Sequence, residues 1–230
     1  SQATARSLID AGGNAELVAV VYNGFSVPIP LSDAYLLKKK AELGLAPESK
    51  LFGCFSRISP WKGQDILIRA FASINRPDCI LIIVGAALFG EEKFEQELFS
   101  LSKSLGIENQ VKFLGFREDV GELMMLCDLI IQPSVQAEPF GRTIVEAMMA
   151  GKPVLSSANG AAREIIEDGR TGFLFTPANA EELSEKLLFT LNNEQKTRMI
   201  AAEGQSEALK RFRLSRMQEN IDVLIQTARA

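Results

Sequence analysis

The sequence predicts an α/β chain organised as one doubly wound, mostly parallel sheet with helices on both faces. Three observations predict it. Short apolar runs alternate with longer segments of helical spacing, and that alternation marks βαβ units. The runs CILIIV at 79–84 and LIIQP at 129–133 are apolar at successive positions, so both of their faces need cover. Glycines at 44, 106 and 151 close helical segments and separate each from the strand that follows.

Taken in order, strands are expected at 17–22, 51–56, 79–84, 110–114, 128–132, 153–156 and 172–175. Each is short, apolar and bounded by Gly, Pro or polar residues. Between them, 32–43, 63–75, 91–104, 119–126, 142–150, 161–167 and 180–191 carry helical spacing. Lys38, Lys39 and Lys40 on the first of these read as a solvated face. Beyond 191 the pattern is helical only, over 193–211 and 214–228. The whole reads as a Rossmann-like domain over 21–192, after a connecting segment over 1–20 and before two helices within 193–230. In such a sheet ligands bind outside the carboxyl ends of the strands, near the reversal of strand order. The loops that follow 56, 84, 114, 132 and 156 are therefore the candidates.

Composition narrows the chemistry. The chain has 230 residues, 25 Lys and Arg against 29 Asp and Glu, a formal net charge of −4 and no histidine. It therefore supplies no imidazole acid or base, no Ser-His-Asp or Cys-His nucleophile and no His-containing metal site. A mildly acidic balance without a long basic run argues against a nucleic-acid partner. No apolar stretch reaches the roughly 18 residues that a membrane-spanning helix needs. Cys54, Cys79 and Cys127 lie in or beside hydrophobic runs and read as buried free thiols of a reducing, cytoplasmic compartment. The opening SQATARSLIDAGGNAE lacks the pattern of a signal peptide and reads as the interior of a longer chain.

The loop after 51–56 carries Arg57 and Lys62, five residues apart around a turn that opens the next helix. At a strand's carboxyl end, beside helix N-terminal amides, such a pair suits a phosphate or diphosphate. Alone it reads first as an ordinary solvated turn, and its place at a strand's carboxyl end is what favours the phosphate. Val84-Gly85 to Gly90 imitates a phosphate loop, but Glu91 and Glu92 stand where Lys and Ser or Thr are required. The strongest local signal is Glu138-Pro-Phe-Gly-Arg-Thr-Ile-Val-Glu146, followed by Ala-Met-Met-Ala-Gly151-Lys-Pro153. Gly141 lets backbone approach a ligand, and the N–H groups of Gly141, Arg142 and Thr143 at a helix start point toward an anion. Two carboxylates flanking that point suit a ligand with phosphate in its middle and hydroxyls at both ends. The plainer alternative makes Glu138 a surface acid and Glu146 a partner of the helix dipole. Met124, Met125, Met148 and Met149 read as core.

With Arg57 and Lys62-Gly63, FLGF at 113–116, and Glu138-x7-Glu146 followed by Ala-Met-x-Ala-Gly-x-Pro, the chain resembles the nucleotide-sugar-binding half of family 4 retaining glycosyltransferases of the GT-B fold. Val21-Tyr-Asn23-Gly24-Phe and Glu164-Ile-Ile-Glu-Asp168-Gly169-x-x-Gly172-Phe-Leu extend the likeness over nearly the whole chain.

The resemblance implies the C-terminal half of a GT-B enzyme, binding a UDP-hexose, UDP-glucose foremost. The sugar would go to a saccharide or lipid acceptor held by a separate N-terminal domain, in polysaccharide or glycoconjugate synthesis. Arg57 and Lys62 would hold the diphosphate and Glu138 the sugar hydroxyls, these three forming the catalytic set. Gly141, Arg142 and Thr143 would offer amides, Glu146 would bind the ribose hydroxyls, and Phe116, Arg117 and Val120 would lie against the base. Arg142 stands where the family often has an apolar residue, as a third cation near the phosphates or as a solvent-pointing side chain. No metal or other cofactor is expected: no DxD-like pair is present, and Asp78 and Asp128 are single acids at strand starts. The terminal helices would pack back onto the acceptor domain, which would carry the family's histidine and a peripheral contact with the inner face of the membrane. Alone, this chain is expected to bind donor without transferring it. A GT-B nucleotide-sugar epimerase or phosphorylase, and a non-catalytic nucleotide-sugar-binding module, stay open beside this reading.

Overall fold

The structure is a computed structural model that describes residues 1–229. Among them six strands form one parallel sheet in the order β3-β2-β1-β4-β5-β6: β1 Lys50–Phe55, β2 Cys79–Val84, β3 Val111–Gly115, β4 Leu129–Gln132, β5 Val154–Ser157 and β6 Phe173–Phe175. β1 pairs with β2 from Lys50↔Cys79 to Phe55↔Val84, and with β4 at Phe52↔Leu129 and Gly53↔Ile130. The chain works outward from β1 to β3 and then returns to the other side of β1 for β4. Strand order therefore reverses between β1 and β4.

The helices cover both faces. α2 Asp33–Glu42, α5 Val120–Leu126, α6 Arg142–Met149 and α7 Ala162–Ile165 pack on one; α3 Gln64–Ser73, α4 Glu92–Ser104 and α8 Ala180–Asn192 pack on the other. Alternation along β2 shows why the run CILIIV is apolar throughout. Ile82 and Val84 join the cluster with Leu123 and Ile144, whereas Leu81 and Ile83 join the one with Leu67 and Leu183. Gly53 keeps β1 close to its neighbours, because a Cβ there would lie 2.6 Å from Cys127 Sγ. Leu67 is 0% exposed. Leu67→Ala is expected to cost about 2–5 kcal/mol, read as a lower urea midpoint with an unchanged slope.

α9 Glu194–Arg211 crosses to pack on α6, and α10 Leu214–Arg229 follows as the second terminal helix. The three cysteines are buried free thiols, and burial pushes the Cys54 thiol up to about 12. Asp78 pairs with Arg76 just before β2, and Asp128 accepts the Leu51 N–H at 2.8 Å just before β4. No helix of the described residues is long and apolar enough to cross a membrane.

The expected strand at 17–22 does not form. Ala15–Leu17 turns as a short 3-10 helix, Leu17 is 83% exposed, and the residues up to Tyr22 join no ladder. A strand needs a free sheet edge, and this segment lies away from both, beside the α9–α10 junction. Tyr22 meets Phe212 edge-on at 5.6 Å, and the Phe25 N–H donates to Phe212 O at 2.8 Å. Of its apolar residues Tyr22 packs against the helices, while Leu17 faces solvent. Residues 1–20 also carry an unexpected helix, α1 Gln2–Asp10. Its leading N–H groups, on Gln2 and Ala3, donate to the Glu164 carboxylate at 2.9 and 2.5 Å, the Tyr22 hydroxyl donates to the same group at 3.0 Å, and the Thr4 hydroxyl donates to Pro139 O at 2.9 Å.

Candidate functional site

The loops after β1 and β4 meet where strand order reverses. Gly63 adopts φ +70°, and a Cβ there would stand 2.2 Å from Pro133 O, so the two loops touch backbone to backbone. The Val135 N–H donates to Trp61 O at 2.9 Å across the same contact. Gln64 Nε2 donates to Arg57 O at 2.8 Å and to Ser56 Oγ at 3.0 Å, which fixes the turn that carries Arg57. The Thr143 hydroxyl donates to Phe55 O at 3.0 Å and ties the first turn of α6 to the end of β1.

A cleft of about 380 Å³ opens at these strand ends, and Arg57, Phe116, Arg117, Val120, Thr143 and Glu146 line it. Six residues singled out in the sequence therefore share one cavity. Gly141, at φ +83°, caps α6. The N–H groups of Gly141, Arg142 and Thr143 find no acceptor within the helix and give its start a positive end, whereas Ile144 and Val145 donate to Gly141 O. Arg57 is exposed, with its guanidinium 5.5 Å from the Phe89 ring. Phe116 is 78% exposed at the cleft's rim.

Arg117 is held by a fork to Asp119 at 2.8 and 2.7 Å, and Lys39 reaches Asp119 at 2.6 Å and Glu122 at 2.8 Å. The Arg117 guanidinium, and after it Lys39, hold the Asp119 carboxyl well below the usual carboxylate range. A depressed folded-state value gives stability that is present above the unfolded value, about 3.9, and is lost as pH falls through the folded one. Asp119→Asn is therefore expected to lower stability at pH 7 by about 1 kcal/mol, with the gap to the parent closing below about pH 4 in acid-unfolding curves.

Lys62 and Glu138 do not line this cleft. They form an ion pair between the β1 and β4 loops, and Ser134 Oγ donates to the same Glu138 oxygen at 2.7 Å. The Lys62 ammonium also lies 4.0 Å from the Trp61 ring. Glu138 is only 7% exposed, so the reading of it as a surface acid is wrong: the β4 loop folds it inward against its cation. Glu146 is half-buried. Burial raises its carboxyl above the ordinary range, while Arg142, 3.1 Å away, opposes the rise. Arg142 lies outside the Arg57 cleft: its side chain is exposed, with the guanidinium over the Phe25 ring at 4.9 Å.

Ser134, Asp119 and Phe89 belong to this arrangement without having been singled out. Ser134 had one sequence signal, a hydroxyl two residues past an apolar strand. Phe89 had another, in the turn that imitates a phosphate loop, where it takes φ 59° beside Gly90. Among the described residues no group of three or more Cys, Asp or Glu side chains is placed to hold a metal ion.

Fold and cleft together define a Rossmann-like α/β domain with cations and a helix N-terminus gathered where strand order reverses. The chain belongs to the family of glycosyl transferases group 1, whose model matches residues 36–207. It is similar to Alr3699/HepE of Anabaena, crystallised in complex with UDP and glucose, with 44% identity and a TM-score of 0.95 over 98% of this chain and 61% of that one. It shares its fold, at 24% identity and a TM-score of 0.71, with the C-terminal domain of the group 1 protein LpcC from Francisella tularensis, covering 85% of this chain and 97% of that domain. Among curated relatives, the trehalose synthase of Pyrococcus horikoshii is 28% identical over 204 residues, which is 85% of this chain and 48% of that protein. The chain spans about half the length of the curated relatives it matches. Its sheet and flanking helices are those of a GT-B C-terminal domain.

Proposed function

We propose that this chain is the donor-binding half of a retaining glycosyltransferase that uses a UDP-hexose, UDP-glucose foremost. In the whole protein the sugar passes to a saccharide or lipid acceptor held by a second domain, in polysaccharide or glycoconjugate synthesis at the cytoplasmic face of the membrane. One observation carries the reading: an exposed Arg57, the first turn of α6 and a half-buried Glu146 converge on one cleft where strand order reverses. The 44% identity to a protein crystallised with UDP and glucose supports the choice of nucleotide.

In this reading the diphosphate lies between Arg57 and the N–H groups of Gly141, Arg142 and Thr143. Phe116, Arg117 and Val120 face the base, and Glu146 takes the ribose hydroxyls. Lys62 and Glu138 stand beside the sugar end, the lysine toward the phosphate and the carboxylate toward sugar hydroxyls. As the bond from the anomeric carbon to the phosphate oxygen breaks, negative charge grows on the departing diphosphate. Fixed cations and helix amides stabilise that charge without a metal.

A thermal-shift panel of UDP, UDP-glucose, GDP and ADP tests this. UDP and UDP-glucose at about 100 times Kd should stabilise the chain by about 2.7 kcal/mol, a rise of roughly 5–10 °C, with GDP and ADP well behind. A flat response to all four would reject a donor site.

A further inference from the structure

Arg142 occupies the first position of α6, and its guanidinium is held at two points: the Phe25 ring at 4.9 Å and Glu146 Oε1 at 3.1 Å, one turn along the helix. Glu146 lines the 380 Å³ donor cleft and also a neighbouring cleft of about 630 Å³ formed with segment 24–31, whereas Arg142 lines only the second. The carboxylate therefore forms part of the wall between the two, with its cation on the side away from the proposed donor.

We propose that Arg142 is a positioning residue that engages Oε1 of Glu146 and leaves Oε2 to accept hydrogen bonds from a vicinal diol in the donor cleft. This rests on reading the cleft as a nucleotide-sugar site, and it assigns what the pair discriminates: a ribose from a 2-deoxyribose.

The electrostatics favour this. Burial works against the charged form of Glu146, and Arg142 is the group that counters it. Arg57 and Arg117 face the same cleft, but Arg117 is committed to Asp119 and Arg57 stands over Phe89 at the other loop. Across the second cleft, Glu122 of α5 is engaged by Lys39 and by the Tyr35 hydroxyl. Segment 24–31, GFSVPIPL, contributes no titratable side chain. An ionised carboxylate accepts at both oxygens, whereas a protonated one gives up part of that capacity. The Phe25 ring attracts the guanidinium on the side of Glu146 away from the donor cleft.

Two readouts test it. In the ligand-free chain, carboxyl NMR resolves Glu146, identified by the resonance lost in Glu146→Gln. Arg142→Leu should move its titration midpoint up, and Arg142→Lys should restore most of the change. Calorimetry then compares UDP with 2′-deoxy-UDP from pH 5.5 to 8. The parent should prefer UDP about tenfold throughout, and Arg142→Leu should lose that preference as pH falls while the parent keeps it, with Arg142→Lys rescuing it. An unmoved midpoint overturns the proposal. So does an equal loss of UDP affinity at every pH with the ribose preference intact, which would make Arg142 a diphosphate contact. A parent that binds neither nucleotide rejects the nucleotide reading instead, and the titration still decides whether Arg142 governs Glu146.

Discussion

Replacing Lys62 with alanine is expected to cost about 3–5 kcal/mol of stability at pH 7, together with most donor affinity. Glu138 is 7% exposed, and without the ammonium its carboxylate keeps only the hydroxyl of Ser134, itself 0% exposed. A buried charge left with one neutral donor is among the largest penalties a single substitution can impose. In a chain of 230 residues the loss corresponds to a melting temperature lower by roughly 6–20 °C. Adding Glu138→Gln should recover much of it, since a neutral amide is far less costly to bury. The double variant separates the two roles of the pair: a fold restored to near-parental stability that still fails to bind UDP-glucose tightly would show that the pair serves the ligand as well as the loops. If Lys62→Ala alone melts at the parental temperature, the pair carries no such strain.

Arg57→Ala should do the opposite. Arg57 is exposed, and its guanidinium lies over the ring of Phe89, itself exposed, instead of any element of the core. Surface truncations of this kind change stability by about 0.5 kcal/mol or less. Its loss should nonetheless weaken UDP binding by roughly 10- to 100-fold, the worth of a charge-assisted bond to phosphate at about 1.5–3 kcal/mol. Calorimetry with UDP and with uridine distinguishes the source: the penalty should appear for the diphosphate and vanish for the nucleoside. An equal loss for both would place Arg57 at the base.

The strands were the most legible part of the fold. The expected 79–84 is β2 without adjustment, because a run buried on both faces leaves no polar residue to blur its ends. Residues 17–22 carry the same kind of run and form no strand, since composition records that side chains seek cover and not whether a backbone edge is free to pair. In the site, the residue types were legible at the strand ends, and Arg57, Phe116, Arg117, Val120, Thr143 and Glu146 do converge. The partnerships were less so. Lys62 and Glu138 are 76 residues apart, and only the crossing at Gly63 and Pro133 brings them together. Arg142 and Glu146 are four apart on one helix, a spacing that permits their ion pair, but Phe25, which holds the arginine in place, comes from a distant segment.

The helix at residues 2–10 carries a mechanical consequence. Its first turn grips Glu164 through two N–H groups and the Pro139 carbonyl through Thr4, and Pro139 directly follows Glu138. The segment ahead of the sheet is thus pinned at once to α7, through Glu164, and to the loop beside the proposed sugar end of the site, through Pro139.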